Sequence, residues 1–241
     1  MTARTEPHSL LDLRDYPKIR RGKQRDIYLV PQDARGNTAG KAMVLKVPRY
    51  GERHKRLSLI KRVLRRIYPD SAYRVLTQEV DYWNKLTDGQ DGRASSLPIP
   101  AFEGYVNTTS GRAVLWEAMV DAKGDLGPNL LDICKDGTPE IAIEPLNRFV
   151  DTCLAESIVA PDLNAKNLVL ATRNAQSDFF LVDGFSDHRM ISLREIIPRY
   201  NAHFLLKRFA KIARRMGLEF DPAAQRFRLP DGPYGGLRPD G

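Results

Sequence analysis

The sequence predicts an α+β protein in two lobes, a β-rich N-terminal lobe with one or two helices and a mainly helical C-terminal lobe. Three observations support this. Apolar runs typical of strands dominate residues 17–120, with one helical region inserted. A Gly-rich connector follows at 120–127. Beyond it, apolar residues recur mostly at helical spacing. We therefore expect the lobes to be 1–120 and 121–241.

The N-terminal lobe begins with strands. The segment "KIRRGKQRDIYLVPQD" contains two strand-like runs around a Gly turn, and "KAMVLKVPRY" is a third strand after the turn "GNTAG". Apolar residues at helical spacing then predict a basic helix at 53–68, which Pro69 ends. A second helix follows, with Leu76, Val80 and Trp83 on its apolar face. Two more strands flank the turn "NTTSG".

The C-terminal lobe is predicted to hold three helical segments and one hairpin. The helices are expected at 128–135, 140–158 and 191–217, and Gly217 ends the last one. Between the second and third helices, the apolar runs "LVLAT" and "FFLV" are joined by a polar stretch, which predicts an antiparallel hairpin. From about residue 228 the chain is rich in Pro and Gly, so we expect a loose tail.

The composition limits the compartment and the partners. No stretch of the 241 residues approaches the ~20 apolar residues of a membrane helix, and the N-terminus lacks a signal-peptide pattern. The two cysteines make no disulfide framework, so we expect a cytoplasmic protein. The net charge of +8 favours anionic partners such as a nucleotide, nucleic acid, anionic lipid or phosphorylated sugar. Solvated Lys and Arg side chains are the alternative explanation of that charge.

Two charged residues lie where the pattern predicts burial. Lys46 lies inside the apolar strand "MVLKV", and Glu79 falls on the apolar face of the second helix. A buried charge requires a partner, and these two charges are complementary. The sequence therefore predicts an ion pair that joins the strand to the helix. The alternative is a Lys that extends to solvent and a Glu at the boundary of the helix face.

The predicted hairpin places three polar residues at one end. Asn167 enters its first strand and Asp183 leaves its second, so antiparallel pairing brings them to the same open end. Asp162 precedes Asn167 in a short loop and can fold back near both. Carboxylate and amide oxygens suit Mg²⁺, and a second carboxylate can accept a proton from a hydroxyl group. The alternative is an ordinary hairpin with polar ends in solvent.

These elements, in this order, resemble the protein-kinase-like fold. The stretch "DLNAKN" resembles the kinase catalytic loop, and "VDGF" occupies the place of the metal-binding motif. "VLKV" and "TQEVDYW" resemble the strand and helix that carry the phosphate-binding Lys and its Glu partner. A closer resemblance is to the YrbL family of PhoP regulatory network proteins. It is carried by "RGKQRDIYLVPQD", "VLKVPR", "QEVDYWNKL", "VLWEAMVDAKG", "DLNAKNLVL", "FLVDGFSD" and "LLKRFAKIARR".

The resemblance implies a role for each matching residue. Asp162 takes the place of the catalytic base, and Asn167 and Asp183 take the places of the Mg²⁺ ligands. Lys46 would hold the phosphates of ATP, oriented by Glu79. Near the nucleotide, Gly22 would lie in the phosphate loop, and backbone groups of Glu117 and Met119 would meet the adenine. The resemblance also implies a part in envelope-stress regulation in Gram-negative bacteria.

The sequence departs from the kinase pattern in four places. Only Gly22 remains of the Gly-rich loop, where Arg21, Lys23 or Arg25 would supply charge instead. Asn164 stands where kinases carry a Lys or His, "APD" lacks the usual His-Arg pair, and no A-P-E motif follows "VDGF". These departures are compatible with a small-molecule kinase or with a non-catalytic pseudokinase that acts as a regulatory binding module.

The expected partners follow from the same two alternatives. A kinase would take Mg-ATP and a hydroxyl-bearing acceptor, such as a sugar or an envelope-lipid precursor. The basic helix at 53–68 would dock on an anionic surface, or else form a solvated face over an apolar seam. We do not expect nucleic-acid binding, because the sequence has no helix-turn-helix or zinc-finger pattern.

Overall fold

The computed structural model has a mixed α+β fold with mainly antiparallel sheets. It describes residues 10–22, 25–32, 40–49, 74–87, 93–185, 197–232 and 237. The predicted basic helix at 53–68 and most of the turn at 36–40 lie outside these residues. The chain forms two compact units. The first comprises Met1–Lys85 with Ala101–Ala118, and the second comprises Leu86–Pro100 with Met119–Gly241.

The first unit contains a five-stranded antiparallel sheet. The strands are β1 (Lys18–Arg21), β2 (Arg25–Val30), β3 (Met43–Pro48), β4 (Phe102–Thr108) and β5 (Gly111–Glu117), in the order β1-β2-β3-β5-β4. A short 3₁₀ helix, Leu13–Asp15, precedes the sheet, and helix α1 (Arg74–Thr87) follows β3. The five predicted strands and the second predicted helix are therefore confirmed.

Alternation along β2 and β3 gives this sheet two different faces. On one face Tyr28, paired with Leu45, joins a buried apolar cluster that also contains Leu13 and Val47. Lys46 pairs with Ile27 and so points to the other face. The sheet thus separates an apolar layer from the face that carries the central Lys.

Aromatic rings connect α1 to that second face. Trp83 of α1 lies 5.9 Å from Phe102 of β4, measured between ring centroids. Phe102 in turn lies 5.7 Å from Trp116 of β5, in an edge-on arrangement. Trp116 and Val80 are 1% and 2% exposed. The apolar face predicted for α1 is therefore the face that packs on the sheet, and this packing fixes the direction of Glu79.

The second unit combines helices with two short hairpins. Its helices are α2 (Arg93–Ser96), α3 (Leu130–Lys135), α4 (Glu140–Ala155) and α5 (Pro198–Met216). Strands β6 (Leu168–Arg173) and β7 (Gln176–Leu181) form the predicted hairpin, and β8 (Glu219–Asp221) pairs with β9 (Arg226–Arg228). None of the helices in the described ranges has the length and hydropathy of a membrane-spanning segment.

Three details of this unit go beyond or differ from the prediction. Helix α2, a single turn, was not predicted. Helix α5 begins at Pro198, because Ile197 is extended and proline is favoured at the first helical position, and the predicted helical residues 191–196 lie outside the described ranges. The β8–β9 hairpin, Glu219–Arg228, was not predicted, and the loose tail expected from about residue 228 remains a prediction. Gly217 does end α5, with a left-handed φ of 69°.

Aromatic packing fills the core of the second unit. Phe149 of α4 and Phe209 of α5 meet with ring centroids 6.1 Å apart, and Phe227 of β9 lies 5.9 Å from Phe209. All three residues are 2% exposed or less. The connector 120–127 runs beside β6, where a Cβ atom at Gly127 would overlap the Leu170 carbonyl oxygen. Only glycine fits at that position.

Candidate functional site

The predicted pair between Lys46 and Glu79 is confirmed. Lys46 Nζ donates a hydrogen bond to Glu79 Oε2 at 3.0 Å. The two side chains are 3% and 1% exposed. The ammonium group also lies 5.2 Å from the centre of the Trp116 ring, within the range of a cation–π contact. Both charges are therefore buried and mutually compensated, and the alternative of a solvent-directed Lys is wrong.

A second cation, which the sequence did not predict as a partner, shares the same carboxylate. Arg25 Nη2 donates to Glu79 Oε1 at 2.8 Å, and the Arg25 side chain is 13% exposed. Each oxygen of Glu79 thus faces a different cation. The available signal was the alternation of β2, which places Arg25 on the face of Ile27. That signal was insufficient because the pairing of β2 with β3 was not known.

Gly22 forms a constrained turn before β2. Its N–H donates to the Arg25 carbonyl oxygen at 2.9 Å, and its carbonyl oxygen accepts from Arg49 Nη1 at 2.9 Å. A Cβ atom at Gly22 would lie 2.7 Å from the Arg25 oxygen, so a larger residue would force the backbone to shift. The turn holds the start of β2, and with it Arg25, in place. The predicted phosphate contact of Gly22 remains a prediction.

In the second unit, the loop before β6 folds around the backbone of Asp162. The Asp162 carbonyl oxygen accepts from Asn164 Nδ2 at 2.8 Å and from Asn167 Nδ2 at 3.3 Å. Asn164 Oδ1 accepts in turn from the Lys166 N–H at 3.1 Å. The Asp162 side chain stays exposed. Asn164 therefore positions the loop through local hydrogen bonds, in the manner common for Asn in turns.

The open end of the hairpin brings the three predicted residues into one neighbourhood. The Val182 N–H donates to the Asn167 carbonyl oxygen at 2.9 Å, which places Asp183 next to that end. The Asp162 N–H donates to the Gly184 carbonyl oxygen at 3.4 Å. Gly184 has a φ of 79°, and a Cβ atom there would lie 2.7 Å from Asp162 Cβ. Glycine is therefore required for this close approach.

The open end of the hairpin carries an amide and a carboxylate, two oxygen-bearing groups that hard divalent cations take as ligands. Asn167 is 4% exposed, and its Oδ1 accepts no hydrogen bond from any residue that the structure describes. Asp183 is half-buried and adds a carboxylate. The described ranges contain no group of three or more His, Cys, Asp or Glu side chains able to hold a metal. Mg²⁺ in nucleotide sites usually takes one or two protein ligands together with phosphates and waters, and the roles of Asn167 and Asp183 as its ligands remain predictions.

Part of the segment expected to meet adenine already forms hydrogen bonds within the protein. The Glu117 N–H donates to the Ala101 carbonyl oxygen at 2.9 Å, and Glu117 Oε2 accepts from the Ala101 N–H at 3.0 Å. The Met119 carbonyl oxygen accepts from the Gly127 N–H at 3.0 Å. Met119 is 5% exposed, yet its own N–H has no hydrogen-bond partner in the described part of the chain. A backbone donor of this kind in a buried residue is unusual.

Arg173, at the end of β6, is a structural residue that sequence reasoning missed. Its guanidinium donates to the carbonyl oxygens of Leu97 at 2.8 Å, Ile99 at 3.0 Å and Ala94 at 3.4 Å. It also lies 4.4 Å from the centre of the Phe180 ring. Arg173 thus fastens the segment 94–99 to the hairpin. An Arg at a strand end is usually solvated, so no local pattern indicated this role.

One comparison with known proteins identifies relatives of this chain. The family model described as PhoP regulatory network protein YrbL matches residues 11–217. No individual curated protein matches the sequence. The matched range contains both groups of site residues, the Lys46–Glu79 pair of the first unit and the hairpin end of the second.

Proposed function

We propose, from the premise that this chain belongs to the YrbL family of PhoP regulatory network proteins, that it is a kinase-like protein that binds Mg-ATP. We further propose that it transfers phosphate to a hydroxyl acceptor as part of bacterial envelope-stress regulation. The observation that carries the proposal is the buried pair of Lys46 Nζ and Glu79 Oε2, 3.0 Å apart. A buried pair of this kind is expensive to maintain for stability alone, which favours a functional role.

Each charged group has a defined task in this proposal. Lys46, oriented by Glu79, would contact phosphate oxygens. Asn167 and Asp183 would be the protein ligands of Mg²⁺, which neutralises phosphate charge when it is bound. Asp162, whose carboxylate is exposed, would accept the proton of the attacking hydroxyl group.

The adenine would be bound by backbone groups. The buried Met119 N–H, which has no hydrogen-bond partner in the described residues, supports this assignment. The adenine ring has acceptor nitrogens that would satisfy such a donor. The Glu117 N–H and the Met119 carbonyl oxygen are already bonded within the protein. Glu117 would contribute a further backbone contact, as the sequence predicts.

The acceptor would be a hydroxyl-bearing molecule of the cell envelope, such as a sugar or a lipid precursor. The net charge of +8 favours an anionic one. Its phosphorylation would take place in the cytoplasm, where ATP is available. The segment 53–68 would add contacts to an anionic surface, and nucleic acid is not among the proposed partners.

A second candidate is a non-catalytic regulatory module with the same binding site. The observation in its favour concerns Asn164, which occupies the position of the kinase Lys or His. Both Nδ2 and Oδ1 of Asn164 form hydrogen bonds within the loop itself. This amide brings no positive charge to the transferred phosphate. The second candidate predicts nucleotide binding without turnover.

Thermal unfolding with ATP tests the binding part of the proposal. We expect ATP to raise the Tm, and to raise it more in the presence of Mg²⁺. In Asp183→Ala the additional, Mg²⁺-dependent rise in Tm should be absent. An equal Tm with and without Mg-ATP would reject the proposed site. Asp162→Asn distinguishes the two candidates in a complementation assay. A kinase loses its function in this variant, whereas a binding module keeps it.

A further inference from the structure

The carboxylate of Glu79 serves two cations from two adjacent strands. Lys46 of β3 contacts Oε2 at 3.0 Å, and Arg25 of β2 contacts Oε1 at 2.8 Å. The exposed fractions of the three side chains are 3% for Lys46, 13% for Arg25 and 1% for Glu79. One carboxylate therefore holds an ammonium group and a guanidinium group together in a poorly solvated environment.

Strand register explains why the two cations share a face. Lys46 is paired with Ile27, and Arg25 lies two residues before Ile27 on the same strand. Paired residues and residues two apart point to the same side of a sheet. Arg25 and Lys46 are therefore diagonal neighbours on the face that α1 covers, and Glu79 of α1 reaches both.

Arg25 is also held in place from its backbone. The Gly22 N–H donates to the Arg25 carbonyl oxygen at 2.9 Å, and Arg49 Nη1 donates to the Gly22 carbonyl oxygen at 2.9 Å. The start of β2 is thus constrained by a turn that only glycine fits, since an added Cβ atom would lie 2.7 Å from the Arg25 oxygen. A long side chain anchored at both ends is preorganised for a fixed contact.

We propose that Arg25 is a phosphate-binding residue, which acts with Lys46 as a two-cation clamp oriented by the single carboxylate of Glu79. This inference rests on the proposed function and names the group that replaces the missing Gly-rich loop. A Gly-rich loop binds phosphates through backbone N–H groups, whereas this chain retains only Gly22 of it. The clamp would substitute charge-assisted hydrogen bonds.

The chemistry of the two cations favours a polyphosphate as the ligand. Both cations bind phosphate oxygens through charge-assisted hydrogen bonds. A guanidinium can donate two parallel hydrogen bonds to one phosphate, while an ammonium acts as a point charge. The clamp is therefore suited to two neighbouring phosphates of one ligand.

The test compares Arg25→Ala with Lys41→Ala by isothermal titration calorimetry. Lys41 is a matched control, because it also carries one positive charge in the first unit and pairs with an acid, Glu103, at 2.7 Å. It is 46% exposed and lies outside the clamp. The ligands are Mg-ATP, AMP and inorganic tripolyphosphate. We expect Arg25→Ala to weaken the binding of Mg-ATP and of tripolyphosphate about tenfold or more, and to weaken the binding of AMP much less. Lys41→Ala should change the affinity for each of the three ligands less than about twofold.

The ratio of ATP affinity to AMP affinity separates a phosphate contact from a structural defect. A misfolded site weakens both ligands together, whereas a lost contact to the outer phosphates lowers the ratio. Where Arg25→Ala does not fold, Arg25→Lys provides the same comparison. It keeps the charge but not the planar fork, so we expect the ratio to fall by a smaller factor, and an unchanged ratio in Arg25→Lys overturns the inference.

The remaining outcomes distinguish the inference from the proposed function. If wild-type protein binds Mg-ATP and Arg25→Ala keeps the wild-type ratio, the clamp is overturned and the proposed function stands. If tripolyphosphate binds in an Arg25-dependent way but neither adenine nor Mg²⁺ improves binding, the clamp stands and the proposed function is overturned. If wild-type protein binds neither ATP nor tripolyphosphate, both are overturned.

Discussion

Lys46 Nζ lies 3.0 Å from Glu79 Oε2, and neither side chain is more than 3% exposed. Because Arg25 contacts the other oxygen of Glu79 at 2.8 Å, the two partners are not equivalent. Removing Lys46 leaves the carboxylate paired with Arg25. Removing Glu79 removes the carboxylate that contacts both cations. Glu79 should therefore contribute more to the free energy of unfolding than Lys46 does.

The first prediction follows from this asymmetry. Glu79→Ala should lower the free energy of unfolding by about 3–5 kcal/mol, whereas Lys46→Ala should lower it by about 2 kcal/mol. Urea denaturation followed by Trp fluorescence measures both. Glu103→Ala, which removes an acid paired with the exposed Lys41, serves as the control and should change the free energy of unfolding by less than about 1 kcal/mol. Equal losses for Glu79→Ala and Lys46→Ala would show that Arg25 does not share the carboxylate.

The second prediction concerns the approach of Gly184 to Asp162. Gly184→Ala should lose about 3 kcal/mol of stability, since it combines a φ of 79° with an added Cβ 2.7 Å from Asp162 Cβ. Gly137→Ala is the matched control, because its φ is 74° and nothing lies within 4 Å of its added Cβ. It should lose only about 1 kcal/mol.

The same pair of variants has a functional readout. Displacement of Asp162 and Asp183 in Gly184→Ala should remove the Mg²⁺-dependent part of ATP binding, and Gly137→Ala should retain it. Calorimetry on the folded variants measures this difference. Wild-type Mg²⁺ dependence in a folded Gly184→Ala would mean that the close approach has no importance for the metal ligands.

The third prediction concerns the guanidinium of Arg173. Arg173→Ala removes hydrogen bonds to three carbonyl oxygens, at 2.8, 3.0 and 3.4 Å, and should lower the free energy of unfolding by about 2–4 kcal/mol. Arg173→Lys should rescue little of this, since an ammonium cannot reproduce the planar fork. Arg226→Ala breaks an exposed pair with Asp151 and should change stability by less than about 1 kcal/mol. Full rescue by Lys would contradict the role of the fork.

The fourth prediction is a pH dependence. Burial raises the pKa of the Cys153 thiol well above its usual value, so the folded protein holds this proton more tightly than the unfolded chain does. The free energy of unfolding should therefore fall as the pH rises above the unfolded thiol's pKa of about 8.5, by up to about 1.4 kcal/mol per pH unit. Urea denaturation between about pH 8 and pH 9.5 measures the slope. The slope should be smaller in Cys153→Ala, and an equal slope would contradict the assignment to this thiol.

Much of the fold was predictable because its signals are local. The apolar run in "KAMVLKVPRY" and the two apolar runs around 174–175 are enough to place β3 and the β6–β7 hairpin. The pairing of Lys46 with Glu79 was predictable for a related reason. A charge inside an apolar strand requires a partner, and the next helix offers one of opposite sign.

The parts that were not predictable depend on register and on distant contacts. Arg25 reaches Glu79 only because β2 pairs with β3 in one particular register. Arg173 reaches the carbonyl oxygens of residues more than 70 positions earlier in the chain. No local pattern separates either side chain from a solvated Arg. Likewise, the single turn α2 and the three-residue strands β8 and β9 are too short to give a periodic signal.

The measurement that tests the central claim most directly is ATP affinity with Mg²⁺ and with EDTA, for wild type, Lys46→Met and Asp183→Asn. If the chain binds Mg-ATP as proposed, Mg²⁺ should strengthen ATP binding to the wild type. Lys46→Met should weaken binding under both conditions, and Asp183→Asn should remove only the gain from Mg²⁺. An unchanged gain from Mg²⁺ in Asp183→Asn, or ATP affinity in Lys46→Met equal to that of the wild type, would contradict the claim.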